Sequence, residues 1–143
     1  VCFFLLGTSY LQKNNLDLAE KNLKISLELN KKFYDSNHNF GIVALIKKNY
    51  DEAIKYFLKA LELNPKNLGT LNQLAECYER KKSFEKARKY YLEALGIDKN
   101  NKIACKGIVR IYLKFGYHKL ALEHIQKSSG LIRFSEKEIS IIT

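Results

Sequence analysis

Asn49 to Pro65 reads NYDEAIKYFLKALELNP, and one small residue in it, Ala53, sits among much larger apolar neighbours. Stepping 34 residues back reaches Ala19, and stepping 34 forward reaches Ala87 and then Ala121. Other columns share the period. Asn15, Asn49 and Ser83 stand four residues before the alanines, and each suits a helix N-cap. Glu52 adds half of a capping box at Asn49. Leu23, Phe57, Tyr91 and Ile125 follow the alanines by four residues, Leu27, Leu61 and Leu95 form a further column, and Asn30, Asn64 and Asp98 close it. This spacing predicts amphipathic helices over roughly 16–29, 50–63, 84–97 and 118–129.

The first half of each row reads as a second helix. Row one carries Phe3, Leu6, Gly7 and Tyr10; row two Asn37, Phe40, Gly41 and Ala44; row three Leu71, Leu74, Ala75 and Tyr78; row four Cys105, Ile108, Val109 and Tyr112. Apolar residues at this spacing mark one buried helical face. The combined columns resemble the tetratricopeptide repeat, W-x2-L-G-x2-Y, then A-x3-F, then P, on a 34-residue period. Row two keeps the terminal pattern in full with Ala53, Phe57 and Pro65. Asn37 at the Trp-like position and Val109 at the small position depart from it, and row four ends in KSSGLI without the Leu and Asn columns. The resemblance implies an all-α fold, a right-handed α-solenoid of stacked antiparallel helix pairs, in four units: 1–33, 34–67, 68–101 and 102–135.

The recurring alanine has a physical explanation. Two helices of a hairpin touch along a line, and only a small side chain fits where the backbones come closest. Gly7, Gly41 and Ala75 are expected on one side of that contact, with Ala19, Ala53, Ala87 and Ala121 on the other. Ser135 and Glu138 form a capping box and Ile139 and Ile142 begin an apolar stripe, so 136–143 is expected to start a capping helix or a truncated fifth repeat. The chain does not begin with Met, and the reading expects a piece of something longer.

Composition narrows the function classes. With 46% hydrophobic residues, 12% aromatic and no long polar tract, the chain reads as folded rather than disordered. The net charge of +10 favours acidic partners, but the lysines are spread along the whole chain, so nucleic-acid binding is not expected. Cys2, Cys77 and Cys105 form no C-x-x-C pair and are odd in number, which points to a reducing, cytoplasmic setting. The start VCFFLLGTSYL is too short to span a bilayer and lacks the marks of a signal peptide.

No nucleotide-loop, zincin or nucleophile-elbow motif occurs, and no cofactor, metal or catalytic residue is expected. His118 and His124 are six apart, wrong for a metal pair, and His118 falls in the packed column of Leu16, Tyr50 and Phe84. The paired lysines Lys31-Lys32, Lys47-Lys48 and Lys81-Lys82 suit the negative ends of helices.

The resemblance also implies that the first helices of successive repeats line a concave groove for a peptide. The residues facing it read as Val1, Phe4, Leu5 and Thr8 in row one, with Phe4 and Leu5 also suited to packing on a preceding repeat. Row two contributes Asp35, His38, Asn39, Ile42, Leu45 and Ile46, and row three Asn72, Gln73, Glu76 and Arg80. Row four contributes Lys106, Arg110 and Lys114, a basic stripe. A ligand with apolar anchors and an acidic stretch would match this gradient. The carboxylate clamp of chaperone-binding relatives is not expected, since of its positions only Asn39 matches. The expected function is a non-catalytic protein-interaction scaffold, with a substrate-recruiting segment of a larger enzyme as the alternative. Self-association through apolar solenoid ends is a further expectation.

Overall fold

The computed structural model describes residues 1–128, and these form eight helices with no strand among them. In order they are α1 (Cys2–Gln12), α2 (Leu16–Leu29), α3 (Tyr34–Ile46), α4 (Tyr50–Leu63), α5 (Leu68–Arg80), α6 (Phe84–Ile97), α7 (Lys102–Lys114) and α8 (His118–Lys127). Consecutive helices pair into four hairpins, and each hairpin packs on the next through α2–α3, α4–α5 and α6–α7. The first helices also touch directly, α1 to α3, α3 to α5 and α5 to α7, and so form one continuous wall. The residues expected as a start of a capping helix or fifth repeat, 136–143, lie outside the described residues. None of the described helices is long and apolar enough to cross a membrane.

Side-chain caps close four of the eight described helix N-termini. Asn15 and Asn49 accept the backbone N–H of Leu18 and Glu52, as N-cap residues should. Glu52 completes its side of that cap through the Asn49 amide rather than the Asn49 backbone. Ser83 makes no side-chain cap bond, contrary to its reading as one. Asn67 and Asn101 cap α5 and α7 instead, through Thr70 N and Ala104 N. Every hairpin turn holds one residue in the left-handed region: Asn14, Lys48, Lys82 and Gly116, at φ of 57°, 62°, 61° and 73°. These four are spaced by the same 34 residues, so the backbone repeats even where the side chains change.

Ala19, Ala53, Ala87 and Ala121 are all fully buried. The expected pairing of small residue against small residue is nevertheless wrong in detail. A Cβ added to Gly7 would lie 2.7 Å from Leu23 Cγ, and one added to Gly41 would lie 2.6 Å from Phe57 Cε1. The glycines make room for the large residue one turn beyond each alanine, so the crossing sets small against large. This is denser packing than two small residues would give, because it leaves no void between the backbones. Gly107 repeats the device between hairpins, where an added Cβ would lie 2.4 Å from the Tyr91 ring.

The departures from the pattern also have reasons. Asn37, at the Trp-like position, is buried, and its amide donates to Lys31 O at 3.0 Å and Phe33 O at 2.8 Å. It ties down the turn between the first two hairpins by hydrogen bonds where a large ring would do so by area. Phe4 packs edge-on against Phe33 at 5.0 Å within the chain. His118 is exposed, against its expected packing, and so is Cys2, whereas Cys77 is buried and its thiol is pushed up to about 12 by that burial.

Candidate concave interface

The wall of first helices carries the residues read as a groove, and the structure sorts them into three groups. Ile46 on α3 and Lys106 on α7 are exposed as expected, Ile46 at 47%. Arg80 is exposed too, and it pairs with Glu76 one turn away on α5 at 3.2 Å. Ile42 is half-buried against the core formed by Ala44, Ala53, Phe57, Leu74 and Cys77 rather than free.

A second group has been taken up in joining one hairpin to the next. Asn39 donates its amide to Thr8 Oγ1 at 3.1 Å, while the Thr8 hydroxyl donates to Phe4 O. His38 Nδ1 lies 2.9 Å from Thr70 Oγ1, and Tyr34 stacks on its ring while placing its own hydroxyl 2.8 Å from the same oxygen. Burial holds the His38 pKa below its ordinary value, partly offset by Asp35. Asn72 is not a groove residue at all: it is only 6% exposed and donates to Asn101 Oδ1 at 3.2 Å, bracing the cap of α7. Asn72 Oδ1 and Gln73 Oε1 are buried without a protein donor, while Gln73 as a whole is half-buried.

The third group corrects the expected basic stripe. Arg110 is bound by Glu79 in a bidentate pair, Nε to Oε1 and NH2 to Oε2, each at 3.0 Å. Two parallel charge-assisted bonds engage one edge of the guanidinium and raise its pKa further. The buried Tyr91 hydroxyl donates to Glu79 as well, at 3.0 Å, and burial followed by the Glu79 charge drives the Tyr91 pKa up. Lys114 leans over the Phe84 ring, 4.6 Å from its centre. Lys106, Arg110 and Lys114 therefore do not act as three equivalent free cations.

Glu79 was missed by the sequence reading, although its row-two counterpart, Leu45, was named. The 34-residue count from Leu45 places Glu79 on the wall, and that was the signal available; its pairing with Arg110 is seen only in the structure. Glu79, Arg110 and Lys114 border a cleft of about 1020 Å³ between α5 and α7, floored by Phe84, Ile103 and Leu113. Among the described residues no group of three or more His, Cys, Asp or Glu is placed to hold a metal ion.

Comparisons with known proteins agree with this geometry. Family models described as tetratricopeptide repeat match residues 34–100 and 2–33. The crystal structure of MamA superimposes with a TM-score of 0.87 over 90% of this chain and 75% of that one, at 19% identity. A MamA D159K mutant matches with a TM-score of 0.81, 25% identity, and 91% and 76% coverage. The Cut9–Hcn1 hetero-tetramer of the APC/C matches with a TM-score of 0.81 over 98% of this chain at 23% identity, but this chain spans only 28% of that one. No sequence among the curated proteins matches.

Proposed function

Given that the chain belongs to the tetratricopeptide repeat family, we propose that it is a non-catalytic scaffold that holds a segment of a partner protein along the wall of α1, α3, α5 and α7. The supporting observation is that this wall is tied together before any ligand arrives. Asn39–Thr8, His38–Thr70, Asn72–Asn101 and Arg110–Glu79 each link one first helix to the next or to its cap. A preformed surface leaves the ordering cost mainly with the ligand. Ile46 and Lys106, which remain exposed, supply an apolar and a cationic contact at separate places on that surface.

The test compares two faces by pulldown from the native source. Ile46→Asp with Lys106→Glu changes the concave wall, and Lys55→Glu with Lys59→Glu changes exposed sites on α4. The concave pair is expected to lose the partners that the α4 pair retains, with circular dichroism unchanged for both. Partners lost only with the α4 pair would move the binding face to the second helices and end this reading.

A further inference from the structure

Resting on that reading, we infer that the α5–α7 cleft is the anchoring subsite of the wall, that it takes a protein segment setting a carboxylate beside an apolar side chain, and that Glu79 governs its selectivity. The cleft is bordered by the cations Arg80, Lys82, Arg110 and Lys114 and the carboxylates Glu76 and Glu79, so cations outnumber anions. Their engagement differs. Arg110 commits two of its five N–H donors, the Nε–Nη2 fork, to Glu79, which also accepts from Tyr91. Arg80 has only a surface pair with Glu76, with both side chains well exposed, and such pairs exchange readily. Among the described residues, neither Lys82 nor Lys114 forms an ion pair.

The cations open to an incoming carboxylate are thus Arg80, Lys82 and Lys114, grouped around apolar ground. Half-buried Leu113 gives an apolar side chain a place to land beside them, and Ile103, 61% exposed on the first turn of α7 and so about 16 Å along that helix from Lys114, continues the apolar ground to the far end of the cleft. A nucleic acid fits less well. The Phe84 ring is covered by Lys114 on its face and met edge-on by Phe115 at 5.5 Å, and Tyr91 is buried, so neither ring of the cleft is open to a stacking base. Glu79 acts as a resident carboxylate: it withholds the best bidentate donor of the cleft, Arg110, and so directs ligand carboxylates to the flexible cations.

The experiment reads fluorescence anisotropy of the full chain with short labelled peptides alternating leucine and aspartate, leucine and asparagine, or leucine and lysine, and with oligothymidylate. The leucine–aspartate peptide is expected to bind about tenfold more tightly than the asparagine version. Arg80→Ala with Lys114→Ala should weaken it about tenfold, and Lys55→Ala should leave it unchanged. Glu79→Gln, with its melting temperature measured alongside, should tighten it by freeing Arg110. Equal binding of the aspartate and asparagine peptides, no binding of either, or preferred binding of oligothymidylate overturns the inference. If Leu5→Asp with Ile46→Asp abolishes binding while the Arg80 and Lys114 changes do nothing, the subsite is wrong and the concave reading stands. If neither set matters, both fall.

Discussion

The first and last junctions of this solenoid join the same kinds of helices by different chemistry. At the junction of the first two hairpins, Lys47 at the end of α3 reaches back to Asp17 and Glu20 on α2, at the exposed edge. Lys81 repeats that contact to Asp51 one hairpin later. At the last junction the position of Lys47 and Lys81 is filled by Phe115, and the edge pair is gone. Its place is taken by Phe84 against Phe115, and by the Tyr91–Glu79–Arg110 network on the concave side, seated where Gly107 admits the Tyr91 ring. One architecture thus tolerates a solvent-screened joint and a partly buried one. The partly buried joint is the more sensitive to change, because a lost partner there leaves polar groups that water cannot fully reach.

The sharpest way to break this comparison is to remove Glu79. Glu79→Ala strips the partner from the buried Tyr91 hydroxyl and from Arg110 together, and is expected to destabilise by about 2–3 kcal/mol in urea melts. Lys47→Ala, at the solvent edge, should leave the midpoint unmoved in the same melts. Equal losses for the two variants would erase the distinction between the joints.

Gly107→Ala probes the same joint by volume. The added Cβ meets the Tyr91 ring, which is confined on all sides, so overpacking should outweigh the gain in helix propensity by about 1–2 kcal/mol. A stabilised variant would mean that the ring has room to move aside. Lys48→Gly tests the turns, where a lysine is held at φ 62°. Relief of that conformation should raise the unfolding free energy by about 0.5–1 kcal/mol in urea melts, and Gly116 shows that the turn accepts glycine.

The smallest effect concerns pH. His38 binds a proton less readily when folded, so its neutral form is the one the fold favours. The unfolded chain then takes up more protons, and the stability this residue contributes is present above its unfolded pKa of about 6.5 and is lost as pH falls below it. His38→Gln, keeping a polar partner for Thr70, should flatten the fall in stability between neutral and mildly acidic pH. An unchanged slope would assign the acid sensitivity to His124, whose pKa is also lowered by burial.

The period of the sequence determined the helix hairpins, their register and the buried alanines, because these depend on side-chain size at a backbone crossing that recurs every 34 residues. Even the left-handed turn residues obey it, although the four positions hold Asn14, Lys48, Lys82 and Gly116, three different residue types. Which residues of the concave wall stay free was decided only in the tertiary structure. Asn72 and Asn101 are 29 positions apart, and Glu79 and Arg110 are 31 apart. Their engagement depends on which group the neighbouring hairpin happens to present within hydrogen-bond reach. Periodicity says where a side chain sits on its helix; only the packed neighbour says whether its charge is already answered.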